Sequence, residues 1–144
     1  MLMPSAEPTS AGRRSDGQNR AMVDCPCGFG EPYDQCCGRY HRGEADPPTA
    51  STLMRARYSA FALGDEPFLR RTGAIATRPA GELIDPAMTW TGLTITGTTG
   101  GGLLEDQGTV SFVARYARDG RRGRLAENSR FARVAGRWHY LGPA

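Results

Sequence analysis

The four cysteines of the chain are concentrated in one short segment, as two pairs that flank a glycine-containing loop. The first pair is Cys25 and Cys27, and the second pair is Cys36 and Cys37. Zinc prefers four tetrahedral ligands in proteins, and thiolates are among its preferred ligands. The two pairs can supply all four ligands, which leaves no coordination position open for a substrate. The segment therefore predicts a structural zinc site.

The residues around the cysteines suit a tight metal-binding turn. Pro26 fixes the φ angle between the first two cysteines, and Gly28 and Gly30 let the chain reverse direction beside the sulfurs. From the residues alone, three other uses of the thiols stay open: a redox dithiol, an iron–sulfur cluster, or two thiol pairs without metal. His41 is an alternative fourth ligand, and it is otherwise expected to be a surface histidine.

The string CPCGFGEPYDQCCG, from Cys25 to Gly38, resembles the SEC-C motif, whose pattern is C-P-C-G-S-G-x-x-Y-x-x-C-C-G. That motif ends the SecA translocation ATPase, where it binds zinc and contacts partners. The resemblance implies zinc ligation by all four cysteines and a surface for a protein partner. Phe29 stands where the motif usually has serine, and Cys37 stands where SecA-type copies have histidine.

Length and composition restrict the class of protein. The 144 residues carry a net charge of only +3, and all 18 basic residues are arginines. This length suits one domain with a small appendage. No stretch approaches the roughly 20 apolar residues of a membrane span, and the N-terminus lacks the apolar core of a signal peptide. We therefore expect a cytoplasmic protein, whose reducing compartment favours metal binding over disulfides.

The arginines are spread along the chain, except for a cluster formed by Arg121, Arg122 and Arg124. A nucleic-acid surface normally shows a denser basic stripe with interleaved aromatic residues. We interpret the cluster as a solvated hairpin tip, with a contact to an anion or a partner as the alternative. Nucleic acid is therefore not the expected partner.

Composition divides the chain into three segments. Residues 1–22 are rich in Ser, Pro, Ala, Gly and Arg and are predicted to form a disordered tail. Met22 is a candidate translation start, in which case the tail is not part of the native protein. Residues 23–42 hold the cysteine motif, and residues 49–142 form the main domain.

Two helices are predicted first in the main domain. Ser51 or Thr52 is expected to cap a helix whose apolar residues recur at helical spacing over Leu53–Ala62. Gly64 fits the end of that helix, and Asp65 can cap a second, short helix.

Strands follow after about Pro86, where the sequence becomes rich in Thr, Trp and Ile. The predicted strands are Thr89–Gly97, Gly108–Arg118, Arg124–Val134 and Arg137–Leu141. Asp119–Gly123 is predicted as a hairpin loop. Helices followed by an antiparallel meander predict an α+β fold, with the helices packed on one face of a curved sheet.

Several strings in this domain are similar to those of the YchJ-like family of uncharacterised bacterial proteins. They are LMRARYSAF, TWTGLTI, VSFVARY, ENSRF and RWHYLG. The resemblance implies a SEC-C motif followed by a cone-shaped domain of the nuclear transport factor 2-like type. Members usually have Trp-His-Pro after the second helix, where this chain has Arg71–Ile75. The resemblance implies no activity, because this fold hosts isomerases, dehydratases and binding modules alike.

The concave face of a cone-shaped sheet is the default place for a pocket. The residues predicted to line it are Tyr58, Trp90, Arg115, Glu127, Ser129 and Tyr140. Glu127 among apolar side chains is a candidate base, and Arg115 on the neighbouring strand is its alternative ion-pair partner. A structural ion pair with core aromatic residues is the other interpretation. No triad, phosphate loop or catalytic metal motif occurs, so no catalytic residue is assigned.

Two classes of function follow from these residues. The first is a small zinc-binding adaptor that contacts a protein partner, with zinc in a structural role. The alternative is a small-molecule-binding protein or a pocket enzyme of the nuclear transport factor 2-like type. The sequence assigns no enzyme activity.

Overall fold

The computed structural model describes residues 23–73 and 83–144. The predicted tail, the candidate start Met22 and the last two residues of the segment Arg71–Ile75 lie outside these residues. The described helices are α1 (Cys37–His41), α2 (Ala50–Leu63) and α3 (Glu66–Thr72), and a 3₁₀ turn at Tyr33–Gln35 precedes them. None of these helices combines the length and the hydropathy that a membrane span needs.

Thr49 caps helix α2, so the prediction of a cap at Ser51 or Thr52 was wrong. The Thr49 backbone is extended, and its hydroxyl accepts a hydrogen bond from the Thr52 N–H at 3.1 Å. Three neighbouring hydroxyl residues offer the same capping chemistry. The choice between them is made by tertiary contact, because the N–H of Ala50 donates to the Gly101 carbonyl at 2.9 Å.

The junction between α2 and α3 confirms two predicted helix signals. Gly64 adopts the left-handed conformation, with φ 80° and ψ 26°, and ends α2. The Asp65 side chain accepts a hydrogen bond from the Phe68 N–H at 3.2 Å and begins α3. Phe68 and Leu69 of α3 are then buried in the core.

The sheet is a four-stranded antiparallel meander in the order β1-β2-β3-β4. The strands are β1 (Met88–Gly100), β2 (Gln107–Arg118), β3 (Arg121–Val134) and β4 (Arg137–Pro143). Val110, Phe112 and Ala114 of β2 are buried on the helix-facing side, as the alternation predicts. Trp138 of β4 is buried on the same side and donates its indole N–H to the Pro48 carbonyl at 3.1 Å. The α+β prediction is therefore confirmed.

The β2–β3 hairpin is tighter than predicted. Its loop contains only Asp119 and Gly120, whose φ angles of 53° and 77° are both positive, as in a type I′ turn. Arg121 and Arg122 belong to β3 and pair with Arg118 and Ala117 of β2. The predicted five-residue loop was wrong because a polar arginine pair can extend an exposed strand as well as a loop.

Candidate metal centre and the concave face

The cysteine knuckle, residues 23–42, is shaped by short-range backbone hydrogen bonds. Cys25 N–H donates to the Glu31 carbonyl at 2.8 Å, and Tyr33 N–H donates to the Val23 carbonyl at 2.9 Å. Gly28 turns the chain between them with a φ of 80°, a conformation that favours glycine. The 3₁₀ turn then returns the chain, so the second pair of cysteines faces the first.

The four sulfur atoms predicted as ligands come together. Their Sγ atoms all lie within 4.8 Å of one another, and those of Cys27 and Cys36 are 3.6 Å apart. A zinc–sulfur bond of about 2.3 Å places tetrahedral sulfurs about 3.8 Å apart. Cys25, Cys27 and Cys37 are buried, and Cys36 is half-buried. The group has the size and the donors of a single-ion thiolate site.

The thiols in this group cannot all ionise by themselves. Hydrogen bonds from Cys27 and Cys37 lower the pKa of Cys25, and hydrogen bonding to Cys25 and Cys27 raises the pKa of Cys37. Burial raises the pKa of Cys36 to about 12. A thiolate at Cys25 is thus favoured while Cys36 and Cys37 keep their protons. Four thiolates at this spacing need a cation to offset their repulsion, so the donor set fits a thiophilic metal ion.

Ser59 of α2 completes the surroundings of the sulfurs, and the sequence analysis missed it. This fully buried serine donates its hydroxyl to the Cys37 Sγ at 3.3 Å and lies 3.4 Å from the Cys25 Sγ. A hydroxyl donor beside a ligand sulfur stabilises negative charge on that sulfur. Its only signal in the sequence is a serine within the apolar stretch Tyr58–Phe61.

His41 is neither a surface residue nor an available ligand, so both interpretations of it were wrong. Its side chain is 4% exposed. Nε2 donates to the Ala56 carbonyl at 2.8 Å, and Nδ1 accepts from the Tyr33 hydroxyl at 2.6 Å. Burial lowers the pKa of His41, which favours the neutral ring that this pattern requires. Since both ring nitrogens are used, His41 serves to fasten the knuckle to α2.

The knuckle and the domain share one apolar core. Cys25, Cys27, Cys37 and Tyr40 are buried in the same cluster as the apolar residues of α2, α3 and the sheet. The Arg55 guanidinium of α2 adds a hydrogen bond to the Cys27 carbonyl at 3.0 Å. The candidate metal centre is therefore part of the folded domain rather than a separate appendage.

On the concave face, three of the predicted pocket residues form one hydrogen-bonded group. Glu127 Oε2 accepts from the Ser129 hydroxyl at 2.5 Å and from the Tyr140 hydroxyl at 3.1 Å. Burial, together with the nearby Glu127 carboxylate, raises the pKa of Tyr140 to about 12. The Glu127 carboxylate is thus fixed by hydrogen bonds from two hydroxyls of the same sheet.

Arg57 of α2 belongs to this group, although it was not predicted as a site residue. Its side chain is buried, and Nη1 donates to the Leu69 carbonyl at 2.9 Å and to the Thr72 hydroxyl at 2.7 Å. The guanidinium lies over the Tyr140 ring, 4.6 Å from the centroid. Burial lowers the pKa of Arg57 to about 10, which leaves it charged at neutral pH.

The other predicted pocket residues lie elsewhere. Tyr58 and Trp90 pack edge to face, with ring centroids 6.1 Å apart, in an aromatic group that includes Phe61. Arg115 is exposed and donates to the Thr94 hydroxyl at 3.1 Å. The predicted ion pair between Arg115 and Glu127 does not form, because the two side chains point to opposite faces of the sheet.

Comparisons with known proteins agree with the fold and the motif. A family model described as "YchJ, middle NTF2-like domain" matches residues 49–143. A UPF0225 protein of Streptomyces avermitilis is 53% identical over 119 residues, covering 83% of this chain and 82% of the relative. A UPF0225 protein of Cupriavidus metallidurans is 46% identical over 141 residues, covering 92% of this chain and 94% of the relative.

Two solved structures are similar to this chain. One is the solution structure of a SEC-C motif containing protein from Rhodopseudomonas palustris, with a TM-score of 0.73 and 30% identity. The similarity covers 85% of this chain and 98% of that one. The other is the crystal structure of a SEC-C motif containing protein from Psychrobacter arcticus, with a TM-score of 0.70 and 25% identity, covering 88% and 84%.

Proposed function

The chain belongs to the UPF0225 family of YchJ-like proteins, and we propose that it is a zinc-stabilised adaptor that binds another protein through the cysteine knuckle. The proposal has two parts. Zinc holds the knuckle in place as a structural ion, and the rigid knuckle presents a surface to the partner.

One observation carries the zinc part: the four sulfurs form a compact, enclosed group, all within 4.8 Å of one another. A multi-iron cluster separates its cysteine sulfurs further, because they bind different iron atoms. Tetrahedral coordination by four thiolates is typical of structural zinc. An ion with four protein ligands has no position for a substrate, so its role is to stabilise the fold.

The partner part is supported by the tip of the knuckle. Phe29 is 62% exposed, and the Arg55 guanidinium lies 5.3 Å from the centroid of its ring. An exposed aromatic side chain beside an arginine is a typical anchor of protein interfaces. The concave face supports a pocket less well, because Glu127 is already bonded to two hydroxyls.

Metal analysis of purified protein tests the zinc part. Under reducing conditions with metal supplied, we expect about one zinc per chain and tetrahedral thiolate absorption after cobalt exchange. Cys36→Ala should lower the zinc content, whereas Leu104→Ala, at a residue that is 97% exposed, should not. Protein without zinc, or with iron and sulfide instead, would contradict the proposal.

A matched pair of surface variants tests the partner part without disturbing the metal. Protein cross-linked in bacterial cells is captured and its partners are quantified for the wild type, Phe29→Ala and Leu104→Ala. We expect Phe29→Ala to lose its main partner by about tenfold, with zinc content and melting temperature unchanged. Equal enrichment by Phe29→Ala and wild type, or the lack of a reproducible partner, would reject the adaptor role.

A further inference from the structure

We propose that the tip of the β2–β3 hairpin binds an acidic segment of a partner protein, rich in Asp or Glu. The binding surface, which we call the arginine groove, has a volume of about 520 Å³. It is lined by Tyr116, Arg118, Asp119, Arg121, Arg122 and Gly123. This inference rests on the proposed adaptor function and names the chemistry of the partner.

The positive charge of the protein is concentrated at this hairpin. From Arg115 to Arg124 the chain has five arginines and one aspartate, a net charge of +4, whereas the whole chain carries +3. All other residues together therefore carry a net charge of −1. A positive field focused at one end of the sheet attracts an acidic partner to that end.

Several of these arginines have no acidic partner within the described ranges. Arg118 pairs with Asp85, at the side of the groove. Arg121, Arg122 and Arg124 are exposed, and they form no ion pair with any residue in 23–73 or 83–144. Their guanidinium groups are available for carboxylates, which they can bind with two hydrogen bonds each.

The spacing of the arginines suits an extended peptide. Arg122 and Arg124 are two residues apart on one face of β3, which places them about 6.8 Å apart along the strand. Arg115 stands opposite Arg124 in the register of β2 and β3, so this row lies on the sheet face opposite to Tyr116 and Gly123 of the groove. Arg121 and Arg122 are neighbours at the hairpin tip, where the row and the groove meet. An acidic segment that passes over the tip can therefore contact arginines on both faces of the hairpin.

The aromatic side of the groove favours a peptide over single-stranded nucleic acid. The Tyr116 ring covers Gly123 so closely that a Cβ at that glycine would lie 2.5 Å from the ring. The same ring packs edge-on against Trp90, with centroids 5.6 Å apart. Proteins that bind single strands offer open aromatic faces for base stacking. Tyr116 is used for packing, and the arginines supply the recognition.

Strand β1 connects the groove to the knuckle. Trp90 of β1 contacts Tyr116 of the groove. Three residues later, the Leu93 carbonyl of β1 lies beside Gly28 of the knuckle, where a Cβ would be 4.0 Å away. One partner can therefore contact both surfaces across the first part of β1.

Fluorescence anisotropy with a labelled peptide of alternating glutamate and serine tests the arginine groove. Arg121→Glu combined with Arg122→Glu should weaken binding of this peptide by about tenfold or more. The control, Arg130→Glu combined with Arg137→Glu, makes the same change of net charge at exposed arginines outside the groove. It should retain the wild-type affinity within about twofold.

Two further probes complete the test: an all-serine peptide and an oligouridylate with the same net charge as the acidic peptide. The proposal is supported if the protein binds the acidic peptide more tightly than either of these probes. This affinity must also fall in the groove variant and be retained in the control variant. Tighter binding of the oligouridylate, equal losses in both double variants, or affinity equal to that of the all-serine peptide would overturn it. These outcomes are independent of the Phe29→Ala capture experiment, so failure here leaves the adaptor function to be judged separately.

Discussion

Helix α2 borders two buried polar groups. One is the sulfur cluster of the knuckle, and the other, which we call the concave group, consists of Arg57, Glu127, Ser129 and Tyr140. Ser59 contacts the sulfurs, and Arg57, two residues earlier, contacts α3 and Tyr140. Residues two positions apart point to nearly opposite sides of an α-helix. One helix therefore supports both groups.

The two groups differ in what they need from outside the chain. In the concave group, a carboxylate is held by two hydroxyls, and a guanidinium donates to a carbonyl and a hydroxyl. In the knuckle, the donors to the four thiols among the described residues are the thiols themselves, Ser59 and the backbone N–H of Cys27. The comparison shows that a buried polar group can be part of the core, whereas a buried thiol cluster requires a cation to ionise.

Cys37→Ala removes a ligand and should have the largest effect. Structural zinc supplies about 10–16 kcal/mol in zinc-finger peptides, which matches the whole stability of a typical domain, about 5–15 kcal/mol. We expect loss of bound zinc and of cooperative thermal unfolding, followed by circular dichroism and metal analysis. Wild-type protein treated with a chelator should behave in the same way. A variant that keeps the wild-type melting temperature would show that the two groups do not differ in their need for a ligand.

Arg57→Met tests the concave group and should have the next largest effect. It removes the donor to Leu69 and Thr72 and the contact with Tyr140, so we expect a loss of about 2–4 kcal/mol of unfolding free energy. Urea denaturation measures this change. Arg55→Met on the same helix removes one hydrogen bond and the contact with the exposed Phe29 ring, and should cost only about 1 kcal/mol. An equal effect of both substitutions would show that the concave group has no special role.

Ser59→Ala tests whether the helix supports the metal centre. Removing the hydroxyl should lower stability by about 1–2 kcal/mol and weaken zinc binding by about tenfold or more. Competition with a chelator of known affinity measures the second effect. Ser51→Ala, in the first turn of α2, is the matched control. Unchanged zinc affinity in Ser59→Ala would leave Ser59 with a packing role alone.

Alkaline pH tests the contribution of Tyr140 to the concave group, with a smaller expected effect on stability. Burial raises the pKa of both Tyr140 and Tyr58 to about 12, above the ordinary value of 10.0. The unfolded chain then loses these protons first, so stability is complete below pH 10 and falls as the pH rises from 10 to 12. Tyr140→Phe should make that fall shallower in urea denaturation curves. The same slope in wild type and in Tyr140→Phe would exclude Tyr140 as a cause.

Local signals in the sequence explain which elements could be predicted. Gly64 and Asp65 act on backbone groups within a few residues, so their roles were read correctly. The cap of α2 was misplaced because Thr49 and its neighbours have the same chemistry, and a contact with Gly101 makes the choice. The length of the hairpin loop was overestimated because Arg121 is equally suited to a loop and to an exposed strand.

The sequence by itself determined the candidate ligands and the inward face of β2, because ligand spacing and side-chain alternation are local properties of the chain. Tertiary structure decided what surrounds them. Ser59 reaches sulfurs 22 and 34 positions away in the chain, and Arg115 is turned away from Glu127 by the pleat of the sheet. His41 uses both ring nitrogens only because α2 and Tyr33 lie beside it. Such contacts depend on how the elements pack, and no local pattern in the sequence records that packing.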